Sequence, residues 1–389
     1  MSGRRSFATA PGVHLAMIFL LVCAMACSSA PSPEPCASWP APGTDWKADD
    51  PAAHGFDPAK LNAAADYAAS NSSRCLVVVR DDRIVGEWYW NGTTRTSAIP
   101  TWSLAKSYTS TLVGIAVDEG LIKSIDDPAE RYLPQWRDGA HDGVTIRHLL
   151  SMTSGLQFDS GADSVEIVDA KDMDAQALAL PVTDRPGTTW RYSNQAVQVL
   201  EPVLRDATGK DLETFAQEKL WGPLGFQAHW QHDAAGHVTT YMNVLATCRD
   251  HARFGELFLH RGCWGSKRVV SSKWVAEATT PSSSLNRGYG LLWWLNAGTP
   301  VLDSVTFKPE QGRLHPYAPA DDYCAEGLGS EMIEVVPSLD LVVVRAGFAP
   351  QDDPALAGNP LGQAAATLED GKQLVHNGVL ERVLQAIVR

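Results

Sequence analysis

The pattern of apolar and polar positions predicts a chain in which helices and strands both occur. Asp57-Pro58 supplies a cap and a first-turn proline for a helix that continues to Ala68. Two β-rich runs, 75–79 and 84–90, flank Asp81-Asp82 and predict a hairpin. Helical spacing of apolar residues and β-branched runs predict the remaining elements. The predicted helices are 103–120, 145–151, 195–208 and 371–388, and the predicted late strands are 289–295, 331–336 and 340–345.

The order of these elements predicts an α+β fold. Strands from both ends of the chain can complete one antiparallel sheet flanked by helices, while the middle forms a helical lobe beside it. We therefore expect one domain over 51–389, with a sheet lobe at about 51–100 and 286–389 and a helical lobe at about 103–285. A cleft between a sheet edge and a helical lobe is a usual place for small-molecule chemistry.

The first residues have the pattern of an export signal. Arg4 and Arg5 precede an apolar stretch over 13–26, which is short for a membrane span and is followed by small residues. The segment ending at Cys27 is similar to a bacterial lipobox, which makes Cys27 a candidate lipid anchor, and an ordinary cleaved signal is the alternative. We expect a signal over 1–27, a Pro/Ser-rich tether over 28–50, and an exported bacterial protein that is either periplasmic or a membrane-anchored lipoprotein.

The net charge and the cysteine positions limit which ligands and disulfides we expect. The net charge of −13 argues against nucleic acid, because phosphate binding requires clustered Lys and Arg. Export permits disulfides, and the spacing leaves their pairing open with one exception. A predicted helix between Cys248 and Cys263 would hold them ~22 Å apart, whereas a disulfide tolerates at most ~7 Å. No metal-ligand spacing accompanies the cysteines, so we expect no metal. The cysteines that remain after Cys27 are Cys36, Cys75, Cys248, Cys263 and Cys324.

The segment Trp102-Ser103-Leu104-Ala105-Lys106 is the centre of the chemical argument. On a helix, Ser103 and Lys106 lie on one face about a turn apart. Ser103 at the first turn would also sit where free backbone N–H groups can stabilise an oxyanion. Lys106 can accept the serine proton only when it is neutral, and burial lowers the pKa of a lysine. The alternative interpretation is a Ser helix cap followed by an exposed lysine.

A second cluster comes before another predicted helix, at Tyr192-Ser193-Asn194. A phenol hydrogen-bonded to a cationic Lys106 can be partly ionised and relay protons to a leaving group. Asn194 can accept from Lys106 while donating to a substrate carbonyl. The alternative interpretation is a buried aromatic residue followed by a helix cap.

With these two motifs the chain resembles the serine β-lactamase/DD-peptidase superfamily. Within it, the chain is similar to class C β-lactamases, family VIII carboxylesterases and 6-aminohexanoate-oligomer hydrolases. Members share Ser-x-x-Lys at the start of a buried helix, Tyr-x-Asn, and a third motif on a strand at the cleft. Ser103 with Lys106 and Tyr192 with Asn194 match the first two. The resemblance covers about residue 55 to the C-terminus and implies that Ser103, Lys106 and Tyr192 are catalytic.

The third motif departs from the lactam-recognising pattern. Lactam-recognising members carry Lys-Thr-Gly or His-x-Gly there, whose cation or donors receive the substrate carboxylate. The corresponding stretch here is Ala325-Glu326-Gly327 followed by Leu328. An anionic Glu326 would repel a carboxylate if it faced the cleft, although alternate strand residues face opposite sides. The resemblance implies the backbone N–H of Leu328, next to Gly327, as the second oxyanion donor beside Ser103.

The other aromatic and histidine residues carry less information. His232, His237 and His315 fall in polar loops, and we expect each to be solvated. Trp102 and Trp190 adjoin the two motifs and could line an acyl pocket, but we expect most tryptophans to pack in the core. The chain contains no His-Glu-x-x-His, Gly-x-Ser-x-Gly or phosphate-binding glycine loop.

These observations predict an exported serine hydrolase that cleaves a small-molecule ester or amide through an acyl-enzyme on Ser103. No cofactor is required for this chemistry. Two alternatives stay open: a true β-lactamase or DD-peptidase, and a catalytically inactive cell-envelope binding protein of the same fold. The sequence does not determine the oligomeric state.

Overall fold

A six-stranded antiparallel sheet forms the centre of the fold in the computed structural model. The structure describes residues 1, 3, 35–36, 41–43, 46–137, 139–310, 312–347 and 375–388. The predicted export signal, Cys27 and the first residues of the predicted terminal helix lie outside these ranges. The strands are β1 (Cys75–Arg80), β2 (Arg83–Tyr89), β3 (Ile99–Pro100), β4 (His229–Trp230), β5 (Val244–Ala246), β6 (Cys263–Trp264), β7 (Lys267–Arg268), β8 (Trp294–Leu295), β9 (Tyr323–Gly327), β10 (Glu331–Val336) and β11 (Leu341–Ala346).

The large sheet has the order β2-β1-β11-β10-β9-β8, so the first hairpin pairs with the last strands of the chain. Antiparallel ladders join β1 to β11 and β10 to β9. The two-residue turn Asp81-Asp82 that closes the first hairpin has positive φ at both positions, the conformation that fits the twist of paired strands. The prediction that strands from both ends complete one antiparallel sheet is confirmed.

Helices cover both faces of this sheet, as predicted. Gly255 in α9 lies so close to β10 and β11 that a Cβ there would be 2.5 Å from Val342. On the other face, α1 and α11 share one apolar core with Leu76 and Val78 of β1. The helices are α1 (Pro58–Ser70), α2 (Ala105–Asp118), α3 (Ile146–Leu150), α4 (Met173–Leu178), α5 (Asn194–Gln198), α6 (Leu200–Thr208), α7 (Leu212–Ala216), α8 (Gly222–Leu224), α9 (Cys248–Leu259), α10 (Ser272–Ala278) and α11 (Val375–Gln385).

One predicted strand is much shorter than expected. The sequence predicts a strand over 289–295, but only β8 (Trp294–Leu295) pairs with the sheet. The preceding residues turn back on themselves, because the Gly290 N–H donates to the Trp293 carbonyl and Leu292 has a φ of +61°. A residue in that conformation cannot continue an extended strand. The apolar pattern of 289–295 therefore reflects burial in a turn and not strand pairing.

Two disulfides, of the kind common in exported proteins, connect distant parts of the chain. Cys36 pairs with Cys263, and Cys75 of β1 pairs with Cys248 of α9. The expectation that Cys248 and Cys263 do not pair with each other is confirmed, because α9 lies between them. Cys324 is a buried free thiol. No helix in the described ranges is both long and apolar enough to cross a bilayer.

Candidate active site

Ser103 lies in a short 3-10 turn, Trp102–Leu104, that leads directly into α2. Trp102 has a φ of +47°, which is an unfavourable conformation for a bulky residue. Asn243 holds it there, since the Trp102 N–H donates to Asn243 Oδ1 at 3.0 Å and the Asn243 N–H donates to the Trp102 carbonyl at 3.1 Å. The nucleophile candidate is thus presented by a strained turn that a distant asparagine stabilises.

Lys106 is buried one turn further along α2, with 2% of its surface exposed. Its Nζ lies 2.9 Å from Ser103 Oγ, 2.7 Å from Asn194 Oδ1 and 2.9 Å from the carbonyl of Tyr241. Burial lowers the pKa of Lys106 to about 7, while the charge of Asp163 opposes this shift. A large fraction of Lys106 is therefore uncharged at neutral pH.

The three partners of Lys106 fit both of its protonation states. Asn194 Oδ1 and the Tyr241 carbonyl can only accept, so they take two N–H groups in either state. The Ser103 hydroxyl can accept a third N–H from the ammonium form or donate its proton to the lone pair of the neutral amine. The arrangement can therefore accept the Ser103 proton without any side-chain movement, as general-base catalysis requires.

Tyr192 lies beside this pair, but its contact with Lys106 differs from the expectation. The hydrogen bonds of Lys106 in the described chain do not include the phenol; its Nζ instead lies 4.8 Å from the centroid of the Tyr192 ring. Burial raises the pKa of Tyr192, and an interaction with the Ser103 side chain offsets this in part. The expectation of a partly ionised phenol is therefore wrong, because burial favours the neutral form, which can donate a proton.

Asp163 organises the segment that carries Tyr192, and sequence reasoning missed it. This buried carboxylate accepts from the Ser193 hydroxyl at 2.7 Å and from the backbone N–H groups of Asn194 and Gln195 at 2.9 Å each. Asn194 Nδ2 donates to the Asp163 carbonyl at 3.0 Å, which orients Asn194 Oδ1 towards Lys106. Asp163 belongs to no recognisable motif and lies in a stretch that shows no helical period, so the sequence alone contains no signal for it.

The third element of the site is the end of β9. A Cβ at Gly327 would lie 2.3 Å from the Thr101 carbonyl and 3.2 Å from the Leu104 N, so only glycine allows this approach to the Ser103 turn. Arg345 of β11 donates to the carbonyls of Gly329 and Ser330 and holds the turn that follows Leu328. The end of β9 at Gly327 and the turn that begins at Leu328 are thus fixed beside the segment carrying Ser103.

Glu326 faces away from the Ser103 turn. Alternate residues of a strand point to opposite faces, and Gly327 is the residue that contacts the turn. On the opposite face, Glu326 Oε1 accepts a 3.3 Å hydrogen bond from Cys324 and lies 3.9 Å from His315 Nε2. Repulsion of a substrate carboxylate by Glu326 is therefore not a direct contact effect.

His315 does not lie in a solvated loop, so that prediction is wrong. Its relative exposure is 0%, and its Nδ1 is 2.7 Å from Asp322 Oδ2. Asn296 fixes the loop inward, accepting from the His315 N–H and donating to its carbonyl. His232 and His237 retain partly exposed side chains.

Aromatic rings form a wall next to Tyr192. Its ring stacks on Trp294 at 5.9 Å between centroids and meets Tyr289 edge-on at 6.2 Å. Trp190 contacts Tyr289, Trp294 and Phe307 with centroid separations of 5.6 to 6.3 Å. Trp190 is 3% exposed, so it belongs to the apolar core, as expected for most tryptophans, although it also backs the wall of the site.

Three groups of His, Cys, Asp or Glu side chains within the described residues have ligand atoms close enough together to hold an ion.

Known proteins with similar sequences include esterases and amide hydrolases. Esterase EstB of Burkholderia gladioli is 33% identical over 142 residues, which are 31% of this chain and 36% of that protein. The 6-aminohexanoate-dimer hydrolase of Paenarthrobacter ureafaciens is 24% identical over 225 residues, which are 54% of this chain and 57% of that protein. The chain therefore matches between about a third and somewhat over half of the length of these relatives.

Solved structures with the same fold cover most of the chain. EstCE1, described as a hydrolase with promiscuous acyltransferase activity, superposes with a TM-score of 0.60 and 14% identity over 83% of this chain and 98% of that one. An octameric penicillin-binding protein homologue from Pyrococcus abyssi gives a TM-score of 0.57 and 18% identity over 75% and 73%. The predicted α+β class and the superfamily resemblance are both confirmed. The sequence profile of the Beta-lactamase family matches residues 65–346, well over half of the residues, and the chain belongs to that family.

Proposed function

We propose that this protein is an exported serine hydrolase that cleaves an ester or amide bond through an acyl-enzyme on Ser103. The observation that carries the proposal is the 2.9 Å contact between Ser103 Oγ and a buried Lys106 whose pKa is lowered to about 7. A serine becomes a strong nucleophile only when a nearby base can take its proton. A buried, partly neutral lysine at this distance supplies such a base.

The reaction takes two steps. Ser103 Oγ attacks the carbonyl carbon as its proton passes to Lys106, and the N–H groups of Ser103 and Leu328 stabilise the oxyanion. The bond to the leaving group then breaks as the leaving group takes a proton from Tyr192. The phenolate recovers a proton from Lys106 after the phenol oxygen turns towards Nζ, which lies 4.8 Å from the centroid of the ring. Water next attacks the acyl-enzyme, gives its proton back through Lys106, and releases the acid together with free Ser103.

The substrate is a small ester or amide with an apolar part. The relatives named above are an esterase and an amide-dimer hydrolase. The partly exposed ring of Tyr192, backed by the buried rings of Trp294 and Tyr289, offers an apolar surface beside the nucleophile. The segment Tyr323–Gly327 contains no Lys, Arg or His that could receive a substrate carboxylate, which favours esters and linear amides over penicillins.

Two other functions fit the same fold, and activity measurements distinguish them from the proposed one. A true β-lactamase or DD-peptidase would turn over a chromogenic cephalosporin or a D-Ala peptide much faster than simple esters. A binding protein without activity would not be labelled by a fluorophosphonate at Ser103. The intact Ser103, Lys106 and Tyr192 set argues against the second of these.

The test is detection of an acyl adduct by intact mass across p-nitrophenyl esters, β-lactams, D-Ala peptides and linear amide oligomers. The proposal expects an adduct and turnover with esters or amides, and neither with Ser103→Ala. A Ser110→Ala variant is the matched control, since it removes another buried hydroxyl of α2 that contacts none of these groups. Full activity of Ser103→Ala would refute the assignment.

The location of the protein is part of the proposal. The export signal and the two disulfides support a periplasmic protein or a lipoprotein attached through Cys27. Expression of the full chain in a bacterium with labelled palmitate distinguishes the two forms, because only the lipoprotein incorporates label and loses it in Cys27→Ser.

A further inference from the structure

A second cluster of chemically active side chains lies on the face of β9 opposite Ser103. Cys324 and Glu326 project from this face two positions apart, and Glu334 of β10 stands opposite Cys324 in the antiparallel ladder. His315 reaches the same point from the preceding loop. These four residues, called the β9 cluster below, each offer one ligand atom, and all four atoms lie within 4.8 Å of one another.

Glu334 is the buried acidic member of the β9 cluster whose side-chain oxygens remain unsatisfied. Its relative exposure is 0%, and neither carboxylate oxygen has a hydrogen-bond partner. His315 Nδ1 lies 3.8 Å from Glu334 Oε2, which is beyond hydrogen-bond distance. A buried carboxylate without hydrogen bonds is costly, and a bound cation removes that cost.

We propose that the β9 cluster binds one zinc ion. A thiol, an imidazole and two carboxylates are ligands that zinc accepts in a four-coordinate site, whereas Mg²⁺ and Ca²⁺ select against sulfur. Four atoms at the corners of a tetrahedron with edges of ~4.8 Å lie ~2.9 Å from its centre, and zinc ligands lie at ~2.0–2.3 Å. Side-chain shifts of under ~1 Å therefore complete the site. The thiol proton leaves to solvent when Cys324 coordinates the ion.

The surroundings of the β9 cluster suit a metal site. Asp322 Oδ2 lies 2.7 Å from His315 Nδ1, and a carboxylate in this position orients a histidine so that Nε2 faces the ion. Glu326 Oε1 accepts from Cys324 at 3.3 Å, which brings two ligands together. The Glu326 side chain keeps 16% of its surface exposed, so an ion has a route from solvent.

The ligand spacing along the chain explains why the sequence predicts no metal here. One ligand comes from a loop and three come from two neighbouring strands, so no compact Cys/His motif exists. The ion would join β9, β10 and the loop around His315, on the sheet face away from the Ser103 turn. Its role is therefore structural support of β9, which ends at Gly327 directly before Leu328, with no contact to the reacting atoms.

A second group of potential ligands provides a matched control. Asp172, Asp233 and His237 are also close together, but they include no thiol. The Asp233 carboxylate already accepts from the backbone N–H groups of Met173, Ala235 and His237. An Asp172→Asn variant changes this group without touching the β9 cluster.

The experiment is a Zn²⁺ titration of the chelator-stripped protein against a competing chromophoric chelator. We expect one equivalent bound with sub-micromolar affinity and a thermal midpoint several degrees higher with zinc. Cys324→Ser and Glu334→Gln should each weaken binding by about 100-fold or more, since each removes a ligand. Asp172→Asn and Ser103→Ala should bind zinc like the parent protein, which separates this proposal from the hydrolase proposal.

Co²⁺ gives a second, spectroscopic measurement. Thiolate coordination produces a sulfur-to-cobalt charge-transfer absorption, which we expect in the parent protein and not in Cys324→Ser. Far-UV circular dichroism of the metal-free variants establishes that they are folded. Absence of stoichiometric zinc binding by the parent protein would overturn the proposal. Unchanged affinity in both folded ligand variants would overturn it as well.

Discussion

Asn243 and Trp102 are joined by a reciprocal pair of hydrogen bonds across 141 residues of sequence. The pair holds Trp102 at a φ of +47°, immediately before Ser103. Two residues earlier in the same segment, the Tyr241 carbonyl accepts from Lys106 at 2.9 Å. One loop therefore positions both the hydroxyl and the amine of the candidate site.

Removal of the Asn243 side chain should lower kcat with little change in KM. Asn243 itself has a φ of +57°, so Asn243→Gly removes the side chain without adding backbone strain. The strained Trp102 turn then relaxes and displaces Ser103, and misplacement by ~1 Å costs on the order of 100-fold in rate. Steady-state kinetics on a responsive ester measure the effect.

Gln231→Ala is the control for this variant. Gln231 accepts from Asn243 Nδ2, so its loss leaves the bonds to Trp102 intact. Activity should stay within a few-fold of the parent. An equal loss in both variants would mean that general loosening of the loop, and not the Trp102 contact, is responsible.

The activity should increase with pH through about 7. Burial lowers the pKa of Lys106 to about 7, and only the neutral amine can take the Ser103 proton. Below this pH the lysine is charged, so kcat/KM should be about 100-fold lower two units below the pKa and level above it. Lys106→Arg keeps the charge and cannot become neutral, so it should be as inactive as Lys106→Ala. A flat profile across this range would contradict the assignment of Lys106 as the base.

Asp163→Asn should shift the decrease of kcat/KM at low pH to a lower pH. The negative charge of Asp163 raises the pKa of Lys106, so its removal lets burial lower that pKa further. The variant also replaces one of the two accepting oxygens of Asp163 by an NH2 group, which cannot accept from a backbone N–H, and should be less stable by about 1–3 kcal/mol. Asp174→Asn is the control. It changes a buried side chain that accepts from Gln198, so it should lower stability without changing the pH at which kcat/KM decreases.

The elements near the site were largely predictable from the sequence. The helix that begins after Ser103 has a clear helical period, and the Ser103–Lys106 spacing follows directly from it. The prediction of a strand over 289–295 is wrong because an apolar run has the same sequence pattern in a strand and in a buried turn. Burial of His315 was missed because Asn296, which holds its loop inward, is distant in sequence and belongs to no motif.

The supporting residues of the site could not be found in the same way. Asp163, Asn243 and Tyr241 act through single contacts with backbone groups or with Lys106. Such contacts depend on how distant loops pack, and a lone polar residue in a loop has no period or spacing that reveals it. The sequence therefore reveals the candidate reacting groups more readily than the groups that position them.

Tyr192→Phe should lower kcat by orders of magnitude, on the order of 100- to 10,000-fold, because the proposed mechanism uses the neutral phenol as the proton donor to the leaving group. The ring remains, so the contact with Lys106 at 4.8 Å and the stack on Trp294 persist. Tyr241→Phe is the control, since Lys106 contacts the Tyr241 carbonyl and the face of its ring, which both remain, while the Tyr241 hydroxyl donates to Met173 Sδ. Equal activity in the two variants would remove Tyr192 from the mechanism.

The two disulfides should differ in their reaction with a mild reductant. Cys75 and Cys248 are both 0% exposed, whereas Cys263 is 6% exposed and Cys36 is partly exposed. A reductant therefore reaches the Cys36–Cys263 bond in the native protein, while the Cys75–Cys248 bond reacts only after unfolding. Alkylation and mass analysis under native conditions should detect two labelled cysteines, Cys36 and Cys263.

The buried Cys75–Cys248 disulfide should also contribute more to the free energy of unfolding than a solvent-exposed contact would. It joins β1 to α9 across 173 residues of sequence, and cross-links that close long loops stabilise proteins by about 2–5 kcal/mol. Cys75→Ala/Cys248→Ala should lower the free energy of unfolding by this amount in urea titrations. Labelling of Cys75 as fast as Cys36 would contradict the packing of β1 against α9, because no reagent can reach a sulfur enclosed between a buried strand and a buried helix.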